Sequence, residues 1–171
     1  IMNLKKGNER RGLPDYRYKG IAIERVARMI TSTIGNLHEY TFVPVPPSKC
    51  QTDAAYDDRM TAILRIAQTL KPVMDYRELV LQNASTVASH ASTANRPTPE
   101  EIMANYRLDE NLQAGCRDNI VIFDDVLTAG SHFKAMKRFL QQSFPEASVL
   151  GLFVARTTRD ADVTSLFDVL D

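Results

Sequence analysis

The run NIVIFDDV, residues 119–126, constrains the fold more than any other stretch of this chain. Successive side chains of a strand point to opposite faces, and here both faces are apolar as far as Phe123. Such a strand belongs at the centre of a parallel sheet, covered on both sides. It runs into two adjacent acids, Asp124 and Asp125, turns through Val126-Leu127-Thr128-Ala129-Gly130 and passes into a helical pattern over 131–143. SVLGLFVAR, 148–156, is a second strand apolar on both sides.

The remaining segments alternate between the same two periodicities. Residues 18–34 place Ile21, Ile23, Val26, Met29 and Ile30 at near-helical spacing, with Gly35 and Asn36 as stop residues. TFVPVPPSK, 41–49, reads as a short strand stopped by prolines, which cannot donate to a sheet ladder. A second helix is expected over 55–70, with Met60, Ile63, Leu64, Ala67 and Leu70 on one face, and a short strand over 78–82. Residues 83–99 are polar and rich in Ser, Thr and Ala, without periodicity. A loop of that length inside a compact domain is usually functional or mobile. Pro97 and Pro99 lead into a short helix near 99–106. Strands alternating with helices predict an α/β fold in which a central, mostly parallel sheet is flanked by helices. The 171 residues suit a single domain, with its core over about 18–156.

Bulk composition excludes several function classes. Lysine plus arginine equals aspartate plus glutamate at 21 each, so no global field recruits nucleic acid or an anionic membrane. No apolar run approaches the roughly 18 residues of a membrane span, and no signal-peptide pattern opens the chain. Cys50 and Cys116 lie far apart without CxxC spacing, which argues against zinc and fits a reducing compartment. A cytoplasmic location is the expectation.

The chemistry concentrates in DDVLTAGSH, 124–132. Ligands of open α/β sheets gather at the carboxyl ends of the strands. A turn entering a helix offers outward backbone N–H groups, and the helix dipole favours an anion there. Gly130 lets a phosphate approach closely, and Thr128 and Ser131 add hydroxyl donors. Asp124 and Asp125, just before this cradle, suit the vicinal hydroxyls of a sugar or a hydrated magnesium ion. A phosphate beside a diol describes a ribose 5-phosphate. A Walker B strand also ends in acids, but no GxxxxGK[ST] occurs, and no GxGxxG supports a dinucleotide. The bland alternative is a pair of acids that cap a helix or face water.

This stretch resembles the phosphoribosyl-pyrophosphate (PRPP) motif of type I phosphoribosyltransferases: an apolar strand, two acids, two apolar residues, then Thr-Thr/Ala-Gly-Thr/Ser. The resemblance implies that Asp124 and Asp125 hold the ribose hydroxyls and that Thr128, Ala129, Gly130, Ser131 and His132 bind the 5-phosphate. His132 departs from the small residue usual at its position. Thr128 stands where 6-oxopurine salvage enzymes carry an aspartate, so the chain looks more like the orotate and ComF-like branches. FVPVPPSK, 42–49, resembles the ComF-like VPVPxSK segment, which makes Pro47, Ser48 and Lys49 the expected pyrophosphate loop. Proline-rich turns can adopt a rare peptide geometry that frees backbone amides. ComF-like chains continue with several arginines, whereas Arg59 is the first basic residue here, so cation support is thinner or comes from another segment or subunit.

By the same resemblance, residues 83–99 match the loop that closes over the active site, with Arg96 its only cation and His90 its other titratable group. Asn105 is similar to an asparagine that follows the ComF-like loop, and His38 reads as structural. A short hood over the base would come from residues 1–17 and 157–171. The implied reaction displaces pyrophosphate from the anomeric carbon of PRPP. Lys49, Arg96, Asp124 and Asp125 would act electrostatically, and magnesium would be held through PRPP and water rather than by protein ligands. The expected partners are small molecules (PRPP with a nucleobase or nucleotide) and a second copy of the chain or a partner protein. The rival expectation is a PRPP- or nucleotide-binding sensor without turnover.

Overall fold

The computed structural model describes residues 1–86 and 97–157. Four parallel strands form the central sheet: β1 (Tyr40–Pro44), β2 (Asp75–Tyr76), β5 (Asn119–Leu127) and β6 (Ser148–Arg156), in the order β2-β1-β5-β6. A separate antiparallel ribbon pairs β3 (Val80–Gln82) with β4 (Tyr106–Leu108). The helices are α1 (Arg17–Thr33), α2 (Arg59–Leu70), α3 (Pro99–Ala104) and α4 (Ser131–Ser143). Among the described residues no helix is long and apolar enough to cross a membrane.

Strand alternation divides the core into two layers. Val121 and Phe123 of β5 and Phe42 of β1 face α1 and α2, where Ile30, Ile63, Leu64 and Ala67 are buried. Ile120 and Ile122 of β5 and Val43 of β1 face the other way, toward Met136 and Leu140 of α4 and Tyr106 of β4. The alpha/beta arrangement with a parallel sheet is therefore as the sequence predicts, and β5 lies between two neighbours with helices on each side.

Chain order fixes where the sheet opens. From β1 the chain moves outward through α2 to β2, then returns to the far side of β1 as β5 and continues outward through α4 to β6. Adjacent connections thus leave β1 and β5 in opposite directions. That reversal creates a crevice at the carboxyl ends of the two strands, the usual ligand position in open α/β sheets. The pairing is continuous from Tyr40↔Asn119 to Pro44↔Phe123, and Val45 N–H donates to the Phe123 carbonyl at 2.9 Å.

Several boundaries differ from the sequence expectation. Helix α2 begins at Arg59 rather than near 55, because residues 50–57 satisfy their backbone in turns: Asp53 N–H donates to Cys50 O and Tyr56 N–H to Asp53 O, both at 2.9 Å. The Asp53 carboxylate also accepts the Ala55 N–H at 2.9 Å, a local bond that competes with helix. β5 does not end at its acids but continues through them to Leu127, paired with Arg156 of β6. The strand expected at 78–82 joins the ribbon with β4, not the main sheet. Among the described residues all peptide bonds are trans, so the proline-rich turn lacks the rare geometry expected of it. The N-terminal segment, expected as part of a hood, buries Leu4 in the α1–α2 core at 1% exposure.

A chain of charges ties that layer together. Asp125, 5% exposed, accepts from Arg59 Nη2 at 2.8 Å and Nε at 3.3 Å, with Lys5 Nζ at 3.6 Å. Arg59 Nη1 also reaches Asp57 at 2.8 Å, and Asp57 accepts from the buried Lys19 of α1 at 2.8 Å. Lys19 further donates to the Lys6 carbonyl at 2.7 Å. Removing one member of a buried pair strands the other in low dielectric, whereas replacing both with apolar groups costs less. Arg59→Ala is therefore expected to lower the unfolding free energy by about 3 kcal/mol. The double variant Arg59→Met/Asp125→Leu should recover much of that loss in urea denaturation. A single variant as stable as the wild type would show that the pair is incidental.

Candidate functional site

At the carboxyl edge of the sheet, alternation separates the two acids the sequence places side by side. Asp125 projects into the α1–α2 layer and is engaged by Arg59 and Lys5, as above. Asp124 projects to the α4 side, half-buried, and its Oδ1 accepts the Asp125 N–H at 2.7 Å. The expectation that both carboxylates stand together to grip one diol is thus corrected: adjacent residues of a continuing strand cannot share a face. Among the described residues Asp124 is the one of the two acids without an ion pair. Nor do the two together fit a protein-held ion, and among the described residues no group of three or more His, Cys, Asp or Glu side chains converges on a metal position.

Burial is the main reason the Asp124 carboxyl is pushed up, to about 6, with the neighbouring Asp125 charge adding to it. The Asp125 N–H, Arg59 and Lys5 pull in the other direction. On the same side of β5 lies Tyr106, 5% exposed, packed edge-to-face on Phe139 with ring centroids 5.7 Å apart. Burial and the Asp124 charge raise its phenol further above its ordinary value.

The turn after β5 carries the features of an anion cradle. Gly130 is the N-cap of α4 with φ 78° and ψ 11°, a left-handed conformation that glycine adopts freely and other residues resist. Among the described residues, the N–H groups of Thr128, Ala129, Gly130 and Ser131 meet no backbone acceptor. They open α4, a 13-residue helix whose dipole favours negative charge at this end. Thr128 and Ala129 are exposed, and Ser131 and His132 are half-buried in the first turn.

The loop after β1 reaches the same edge through the β1–β5 pairing. Pro47, Ser48 and Lys49 are half-buried and lie beside the start of the polar stretch. Thr86 N–H donates to the Ser48 carbonyl at 2.7 Å, and Cys50 N–H to Ser85 Oγ at 3.1 Å. Ser85 Oγ reaches Asp53 at 2.6 Å. With Thr52, the Ser85 hydroxyl lowers the half-buried Cys50 thiol to about 7. Asn105 holds the base of this stretch: its Nδ2 donates to the Ala84 carbonyl and to Gln82 Oε1, both at 2.8 Å, and its Oδ1 accepts the Ala84 N–H at 3.1 Å. A cleft between this loop and the β3 ribbon is lined by Pro47, Lys49, Cys50, Tyr56 and Gln82. His90 and Arg96 lie outside the described residues.

Sequence reasoning placed Lys49 and residues 128–132 at one edge, and the structure brings their segments there. It missed the partnership of Arg59 with Asp125, which spans 66 positions, and the burial of Tyr106 beside Asp124. Neither leaves a local signal, since both depend on how distant elements pack. Compared with known proteins, the chain matches no family model and no curated protein.

The raised Asp124 carboxyl makes stability depend on pH with a definite sign. The folded chain holds this proton more tightly than the unfolded one, so the contribution is complete below the ordinary value of 3.8 and is lost as pH rises through about 6. Asp124→Asn should therefore be more stable than wild type at pH 7, by about 1–2 kcal/mol once partial exposure is allowed for. The advantage should shrink toward pH 4 in parallel denaturation curves. Equal stability of the two proteins at both pH values would contradict this.

Proposed function

We propose that the chain binds PRPP in the crevice between β1 and β5 and transfers its phosphoribosyl group to an acceptor, releasing pyrophosphate. The observation that supports this best is the meeting of two loops at one sheet edge. The β5–α4 turn offers N–H groups around the left-handed Gly130, and the Pro47-Ser48-Lys49 loop follows the neighbouring strand. In this reading Thr128, Ala129, Gly130, Ser131 and His132 take the 5-phosphate. Asp124 takes the ribose hydroxyls, and Lys49 faces the pyrophosphate.

The chemistry asks little covalent work of the protein. The bond from the anomeric carbon to pyrophosphate oxygen breaks, and a bond from that carbon to the acceptor nucleophile forms. Positive charge spreads over the ribose ring in between, and the Asp124 carboxylate stabilises it at short range. Lys49 stabilises the departing anion, with Arg96 as a further cation contributed by the polar stretch. Asp125 does not touch substrate in this scheme; it anchors Arg59 under the crevice. Magnesium, if it enters with PRPP, would be held through PRPP and water rather than by protein ligands and would supply further neutralisation of the pyrophosphate charge.

The engagement of Asp125 by Arg59 and Lys5 favours a second reading, a PRPP- or nucleotide-binding module without turnover. One of the two acids is already neutralised, which weakens the field available for the transition state. Calorimetry with PRPP and magnesium, followed by a pyrophosphate-release assay across a panel of bases, separates the two. Transfer predicts release with at least one base; binding with none supports the module, and no binding removes both. Lys49→Ala is expected to weaken PRPP binding about tenfold, while ribose 5-phosphate affinity stays within about twofold.

A further inference from the structure

Tyr106 carries an anomaly that the fold does not explain. Its hydroxyl is buried and, among the described residues, has no hydrogen-bond partner. A buried tyrosine usually finds one, and an unsatisfied buried hydroxyl costs free energy that phenylalanine would avoid. The ring itself is well used: it packs on Phe139 in the layer shared by Ile120, Ile122, Met136 and Leu140. Only the oxygen lacks a structural role.

Its neighbour supplies one. Ile120, Ile122 and Asp124 alternate along β5 onto the face that Tyr106 covers, and Asp124 is the charge that acts on the phenol. Asp124 Oδ1 is occupied by the Asp125 N–H at 2.7 Å. A half-buried carboxylate that accepts hydroxyls from a sugar must be ionised and held in one rotamer, and a single N–H is thin support for that. The phenol is protonated at neutral pH and so remains a donor. It is too deeply buried to touch a ligand directly, but the Asp124 side chain is within its surroundings.

We propose that Tyr106 is a positioning residue: its hydroxyl donates to the Asp124 carboxylate when a sugar diol is bound, and so sets the preference for ribose over 2-deoxyribose. This inference rests on the sugar-phosphate reading of the crevice but not on PRPP as the ligand. The orphan hydroxyl is then a group kept at some cost to the free protein because the bound state uses it.

The test compares wild type with Tyr106→Phe by thermal unfolding and by calorimetric titration with ribose 5-phosphate and 2-deoxyribose 5-phosphate. The variant should unfold at the same or a higher temperature. Its affinity for ribose 5-phosphate should fall about tenfold, the scale of a hydrogen bond to a charged group, with the deoxy sugar changed less than about threefold. In an Asp124→Asn background, Tyr106→Phe should have no further effect on ribose 5-phosphate affinity. Retained preference for ribose in Tyr106→Phe overturns the inference. So does a clear drop in unfolding temperature, which would reveal a structural partner for the hydroxyl, and so does a wild type with no preference between the sugars. A parallel titration with PRPP and magnesium keeps the two claims apart. Ribose preference lost in the variant, without PRPP binding, removes the PRPP reading alone; PRPP binding with preference unchanged in the variant removes the Tyr106 inference alone.

Discussion

The pairing of β1 with β5 is the constraint on which the rest of this molecule depends. The two strands are far apart in sequence and meet through a register that runs unbroken from Tyr40↔Asn119 to Pro44↔Phe123. Because the register stops where β1 meets its prolines, the Pro47-Ser48-Lys49 loop and the Asp124–Ser131 segment emerge at the same edge. A slip of one residue would exchange the faces of every side chain on β5. Phe123 would leave the α1–α2 core and Asp125 would leave Arg59. The site is thus specified by apolar packing along the two strands that lead into it.

The same alternation gives the two acids different physics. Asp125 lies among Arg59, Lys5 and, one step further, Asp57 and Lys19, so its charge is compensated inside the α1–α2 layer. Among the described residues Asp124 has only a backbone N–H at hydrogen-bond distance, and burial pushes its carboxyl up to about 6. Two identical side chains, adjacent in sequence, become a structural ion and a poised one. A motif of paired acids therefore does not by itself mean paired roles; the strand has to end before the acids if they are to act side by side, and β5 does not.

Much of this was legible in the sequence, and the reasons are local. NIVIFDDV is apolar on both faces, which suffices to place it inside a covered parallel sheet; SVLGLFVAR, equally apolar, forms instead the edge strand β6, where Leu150 is 47% exposed. The amphipathic pattern of α4 coincides with the helix formed, Ser131–Ser143. What was not legible depends on packing at a distance. β2 is two half-buried residues, Asp75 and Tyr76, held by Thr41 Oγ1 donating to Asp75 at 2.7 Å, and no periodicity announces a strand of that length. β4 hides at the end of a stretch read as helix, because Tyr106 is ordered by β3 and Phe139 rather than by its sequence neighbours. Arg59 reads as a lone cation until α2 is seen to deliver it to Asp125.

The distribution of polar cost across the edge has a consequence for what the crevice can recognise. On the α1–α2 side, each charge of the Asp125–Arg59–Asp57–Lys19 chain meets an opposite charge, so a ligand gains little there without breaking a pair. On the α4 side, among the described residues, the unmet groups accumulate: a carboxyl whose charge is penalised by burial, a phenol without a hydrogen-bond partner, and turn amides without backbone acceptors. On the proposed reading a sugar phosphate would cancel two of these deficits directly, the anion through the amides and the diol through the carboxylate, and the phenol's only by way of Asp124. An apolar or cationic ligand would cancel none or one of them. Specificity in such a site comes less from contacts added to the ligand than from penalties already present in the protein that only one kind of ligand relieves.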